Sequence, residues 1–143
     1  VIWGEARVLL YNDGYAPILG PRHPAALGRP VEEAWPELWP QIQPLVARTF
    51  AGETLWFEDM AMEVTRHGHP EPAWFTFSYS PLRDAMGVVR GLLNTVVETT
   101  PRVQAEAALR EAEARNRALL ESIGDGFFAL DRRGAYSRPD VTN

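Results

Sequence analysis

The chain contains no cysteine. That excludes disulfides, thiolate metal sites, cysteine nucleophiles and photochemical cysteine adducts together. It suits a reducing compartment, and the expected location is cytoplasmic. No apolar run approaches the roughly 20 residues that a membrane-spanning helix needs, and no signal-peptide pattern stands at the start. Positive charge is in short supply: 14 Lys and Arg against 19 Asp and Glu leave a net charge of −5. That balance argues against nucleic acid or an anionic membrane as partner. Also missing are a Gly-rich phosphate loop, a Ser-His-Asp set and any kinase signature, so these residues are expected not to form an enzyme.

What is present suits a globular domain with something added. The 143 residues are 45% hydrophobic and 23% charged, and five Trp, six Phe and four Tyr supply a core. The first residue is Val1 rather than Met, and the chain is expected to be a piece of a longer protein.

The clearest local signal lies in residues 71–100. Residues 73–82 alternate, with Phe75, Phe77 and Tyr79 on one side and Trp74, Thr76, Ser78 and Ser80 on the other. Residues 88–97 are rich in β-branched side chains, and the intervening 83–87 end in Gly87, which is free to take the positive φ of a hairpin loop. Two short apolar runs, 1–4 and 7–11, predict a first hairpin. Asn12 or Asp13 is expected to cap a short helix over 15–19. Pro24, Pro30, Pro36 and Pro40 forbid one long helix over 25–40 and predict several single turns instead. A longer helix is expected over 41–50, with Ile42, Leu45, Val46 and Phe50 on one side, Pro44 in its first turn and Gly52 past its end. Residues 54–65 predict a strand and 66–72 a polar turn. The order β-β, short helices, one longer helix, β-β-β predicts an α+β fold. It would be a five-stranded antiparallel sheet with helices on one face, plus a long C-terminal helix.

The residues 9–20 (LLYNDGYAPILG), 23–42 (HPAALGRPVEEAWPELWPQI) and 75–100 (FTFSYSPLRDAMGVVRGLLNTVVETT) are similar to successive segments of the PAS sensory domain. The likeness is to a PAS/PAC group found in bacterial sensor histidine kinases of two-component systems. Glu98-Thr99-Thr100 stands where that family often carries Asp-Ile-Thr, the junction that hands over to a signalling helix. Here Glu replaces Asp and Thr replaces Ile. The resemblance implies a sensory domain over 1–100 that passes a ligand- or contact-induced change through Glu98, Thr99 and Thr100. Residues 119–136 (LLESIGDGFFALDRRGAY) resemble the start of a second such domain. They assign 123–143 to its truncated beginning, a strand included.

Between the two, residues 101–122 read as a helix. Thr100 is expected to cap it, Pro101 suits its first position, and Ala, Glu, Arg and Leu dominate its length. Leu109, Ala112, Asn116, Leu119 and Ile123 have 3, 4, 3, 4 spacing, the seam of a coiled coil. An Asn at one core position fixes register and favours a parallel pair, so a homodimer is expected. A single apolar stripe lying on its own domain would give the same pattern.

Candidate chemistry is thin. His67-Gly68-His69 lacks an evident third ligand, and no metal site is assigned. Glu32-Glu33 and Glu58-Asp59 have no evident base or nucleophile beside them and read as solvated positions. The residues name no cofactor. The resemblance raises flavin of the LOV type, whose reactive Cys is absent, and haem, which the Pro-flanked loop position of His23 disfavours. What remains is small-molecule sensing, and the resemblance implies a mostly apolar pocket between sheet and short helices. Its candidate lining is Tyr15, Ile18, Leu19, Trp35, Trp39, Leu45, Phe50, Phe75, Phe77, Tyr79 and Asn94. The expected partners are thus a small-molecule ligand, a second copy and downstream output domains of the parent chain. The competing expectation is a ligand-free dimerisation and spacer module, of a diguanylate cyclase or a transcription regulator, with a filled core.

Overall fold

A computed structural model describes residues 1–134, with side chains as far as residue 124. It divides into two units, Val1–Val103 and Gln104–Asn143, the second described within those limits. In chain order the elements are β1 (Ile2–Trp3), β2 (Val8–Leu9), α1 (Ala16–Leu19), a 3-10 turn (Gly20–Arg22), α2 (Val31–Ala34), α3 (Trp39–Phe50), β3 (Leu55–Val64), β4 (Glu71–Arg83), β5 (Val89–Glu98) and α4 (Thr100–Gly134). The five strands form one antiparallel sheet in the order β2-β1-β5-β4-β3. This is the expected α+β architecture.

Alternation decides which face is buried. Along β4, Ala73, Phe75, Phe77 and Tyr79 are each 4% exposed or less, while Trp74, Thr76, Ser78 and Ser80 are half-buried on the other face. The β4–β5 loop turns at Gly87 (φ 81°), where only a glycine is unstrained. Asp84 holds the turn by accepting from the Met86 and Val88 amides. On β3, Phe57 faces Phe77 and Met60 faces Phe75, so Glu58 and Asp59 together oppose Thr76. That extra residue is a β-bulge, with Asp59 at φ 47°. It lets Phe57 and Met60, three apart, share the inner face.

Helical segments cover that inner face. In α3, Ile42, Val46 and Thr49 are buried, and Leu45 and Phe50 pack beside them. The helix begins at Trp39 rather than at residue 41, so Pro44 lies inside it and not in its first turn. Pro44 is exposed, which leaves the carbonyl that lacks its N–H near water. Between residues 25 and 40 only α2 and the first two residues of α3 are α-helical; the rest is turn, bend or irregular, with Pro30 bridged to Val8. Two expected caps take another form. Neither Asn12 nor Asp13 caps α1 with its side chain; their carbonyls accept the Tyr15 and Ala16 amides instead. Thr100 is the first residue of α4 rather than its cap, and the Thr99 carbonyl accepts the first helical bond, from the Val103 amide.

The last helix does not end at Ser122 but continues to Gly134, so the strand expected after residue 123 is helical as far as it is described. Residues 135–143 of the expected second domain lie outside the described residues. Within the second unit, Leu109, Leu119 and Ile123 are 55–60% exposed, and Ala112 and Asn116 are exposed as well.

Candidate functional site

A cavity of about 50 Å³ lies between the sheet and the helices. The sheet contributes Ile2, Leu9, Met62, Phe75, Phe77, Tyr79, Asn94 and Val96; the helical side contributes Tyr15, Ile18, Val31, Trp35, Leu38 and Ile42. Of the expected lining, Tyr15, Ile18, Trp35, Phe75, Phe77, Tyr79 and Asn94 meet here. Trp39 and Phe50 do not. They lie toward the two ends of α3, where the Arg7 guanidinium sits over both rings at 5.9 and 5.1 Å. Leu19 and Leu45 also lie outside the lining, in the surrounding core. The lining residues not foreseen are aliphatic side chains and Met62, whose sequence pattern is that of any core position.

No charged side chain lines the cavity, but polar atoms do. The Trp35 indole N–H donates to the Tyr15 hydroxyl at 3.0 Å. Burial pushes the Tyr15 phenol up to about 12, against the pull of that bond. Tyr79 is also held well above the ordinary phenol range, first by burial and then by the nearby Tyr15. The Asn94 side-chain oxygen is buried without a hydrogen-bond partner. Amide oxygens in that state are uncommon in folded proteins.

His23 is not among the lining residues; its Nδ1 lies 2.9 Å from the Tyr11 hydroxyl. His67 Nδ1 lies 2.8 Å from Glu71, and His69 is exposed. Among the described residues no three His, Cys, Asp or Glu side chains are grouped to hold a metal ion.

The inner face of β5 runs from this cavity to the head of α4. Asn94, Val96 and Glu98 are two apart and share a side of the strand. Glu98, opposite Phe75, takes two bonds from Arg66: Nη2 to Oε1 at 2.5 Å and Nη1 to Oε2 at 2.8 Å. The Arg66 side chain is only 9% exposed. Its Nη1 also donates to the Ile18 carbonyl at 2.8 Å, and its Nε to Glu71 at 3.1 Å. The bond to Glu98 raises the already high Arg66 pKa, against desolvation. One guanidinium therefore joins α1 in the cavity wall to the end of β5.

Thr99 and Thr100 finish the junction. The Thr99 amide donates to the Trp74 carbonyl at 2.7 Å, and the Trp74 amide donates to the Thr100 hydroxyl at 3.0 Å. Thr100 in turn donates to Glu98 at 3.1 Å. On the other side, the Thr99 hydroxyl donates to Asp59 at 2.7 Å, and Arg102 from the first turn of α4 pairs with the same carboxylate. Arg102 and then Thr99 hold the Asp59 carboxyl below its usual range.

Asp59, Arg66 and Arg102 are not visible as site residues in the sequence. Glu58-Asp59 reads as a solvated pair, yet Asp59 is drawn by the bulge into the junction. Arg66 lies in the turn two residues past the buried Val64, so only by running the alternation of β3 beyond its end could its inward position have been read.

No curated protein matches the chain. A family profile described as PAS fold matches residues 2–104. With that match over most of its length, and with its five-stranded antiparallel sheet covered by short helices, the chain belongs to the PAS fold family.

Proposed function

We propose that this chain is the sensory module of a signal-transduction protein, a two-component sensor histidine kinase, and is not itself an enzyme. A small molecule in the cavity, or a contact on the sheet, shifts α1 against β5. The Arg66 bridge between the Ile18 carbonyl and Glu98 carries this reading, because it couples the cavity wall to the residues that start α4. The change then leaves through Glu98, Thr99 and Thr100 into the helix. That helix pairs with a second copy along Leu109, Ala112, Asn116, Leu119 and Ile123, and hands on to output domains in the same parent chain. The stretch from residue 123 begins a second sensory domain. A cytoplasmic location suits the absence of cysteine, and among the described residues no helix is long and apolar enough to cross a membrane.

The test is signalling by the parent protein. Glu98→Ala, Thr100→Ala and Arg66→Ala are each expected to change output while the domain stays folded by circular dichroism. Unchanged output in all three would overturn the junction role. One observation favours the competing spacer reading: a cavity of about 50 Å³ is small beside the 300–1,000 Å³ of common ligand pockets. In that case ligand-free dimerisation would be the module's whole task.

A further inference from the structure

Antiparallel pairing alternates, and two bonds fix its phase along β5. Just past its end, the Thr99 amide donates to Trp74 of β4, so odd-numbered residues of β5 bond toward β4. The Gly4 amide donates to the Arg90 carbonyl, so even-numbered residues turn their N–H and C=O to the other side, where β1 lies. β1 pairs with β5 at Gly91 and Leu92. Asn94 and Val96 follow on the same side, and among the described residues no strand pairs with them there. An edge of this kind is a template for a further strand.

Beside that edge is a cleft of about 620 Å³. Leu10, Tyr11 and Asn12 line one side, Asn94, Thr95 and Val96 the other, and Val1 stands at its head. There the cleft is one strand wide, because β1 lies between β2 and β5: Ile2 pairs with Leu9 on one side and Leu92 on the other. Val1 still bonds Leu10 through both its main-chain groups, at 2.6 and 2.9 Å. The line of β1 therefore runs into the cleft.

We propose that this cleft is a strand-acceptor site, and that the residues leading into Val1 in the parent protein occupy it, antiparallel to β5. Each step back along β1 is one step on along β5, so the first, third and fifth residues before Val1 stand opposite Asn94, Val96 and Glu98. By the same alternation the first and third exchange main-chain bonds with Asn94 and Val96. Their side chains share the phase of Ile2, which is 2% exposed, and face inward. Whatever lies upstream thereby holds the strand that ends at Glu98, a route to α4 that does not pass through the cavity. This deepens, and rests on, the reading of the chain as a module of a longer signalling protein.

Amide exchange is measured by nuclear magnetic resonance on the 143-residue chain and on the same chain carrying the residues that precede it in the parent. The Asn94 and Val96 amides are expected to exchange slower by about tenfold or more in the longer chain. The α-protons of Thr95 and of the second residue before Val1 are expected to come into contact, as in a non-hydrogen-bonded pair. Proline at the first and third positions removes the two N–H groups that donate to β5, and is expected to restore fast exchange and to change signalling by the parent. Equal exchange in the two chains overturns the acceptor site. Slow exchange in the 143-residue chain that deepens with concentration assigns the edge to a second copy and overturns the occupant. Restored exchange with unchanged output overturns the route to α4 and supports the pairing. Exchange is read without any signal, so its failure is distinct from a failure of the sensory reading.

Discussion

Arg66 does several jobs with one side chain, and its replacements separate them. Arg66→Lys keeps a charge but loses the fork that reaches both Glu98 oxygens and the Ile18 carbonyl together. It is expected to recover less than half of what Arg66→Ala loses in thermal stability. Glu98→Ala leaves the nearly buried guanidinium with only Ile18 and Glu71, at a cost of about 2 kcal/mol in denaturant unfolding. Glu98→Gln, which still accepts, is expected to cost less. Asp59 makes a pH prediction. Its folded carboxyl titrates below the ordinary 3.8, so the unfolded chain takes up its proton first as acid is added. The stability it contributes is therefore complete above about pH 4 and is lost as pH falls through the lower, folded value. Asp59→Asn is expected to lower stability at pH 7 and to flatten the fall of the stability curve below about pH 4, measured by denaturant titration at each pH.

At the scale of elements, strands and helices were legible where periodicity was strong, and their ends were not. The alternation of β4 names its buried face, and the β-branched run of β5 with Gly87 before it names the hairpin. β1 and β2 are only two residues each, because the positive-φ turn at Gly4 and Arg7 uses the residues between them. The caps were misplaced because a hydroxyl or carboxylate near a helix start has competing partners. Thr100 finds the Trp74 amide and Glu98, and the backbone of residues 12 and 13 serves α1 in place of side chains. One element-level test concerns Gly91. A Cβ there would meet the Ile2 carbonyl at 2.7 Å and the Trp3 ring at 2.6 Å. The ring could turn away but the backbone carbonyl could not. Gly91→Ala is expected to cost about 1–3 kcal/mol and to loosen the pairing of β1 with β5, seen as faster exchange of the Gly4 amide, which now bonds the Arg90 carbonyl. On the proposed pairing of α4, Asn116→Leu is expected to raise the helix-pairing affinity of the chain in sedimentation while broadening its register by cross-linking.

For the whole molecule, composition excluded more than it assigned. It removed cysteine chemistry and bilayer-spanning helices, and the order of elements then carried the fold. The site was half visible. Aromatics on the inward beat, together with Asn94, were readable as lining because buried polar groups call for partners. Arg66 was hidden in a polar turn, because its importance comes from Ile18 and Glu98, 48 and 32 residues away in sequence. Trp39 and Phe50 were misassigned because facing the core on a helix does not say which part of the core is faced. The central claim is that Arg66 couples the cavity wall to the start of α4. Amide hydrogen exchange on the 143-residue chain tests it directly. Arg66→Ala is expected to speed exchange of the Trp74, Thr99 and Val103 amides at least tenfold while amides in the middle of β4 and β5 keep their protection. Equal protection of Trp74, Thr99 and Val103 in the variant and the parent sequence would contradict that coupling.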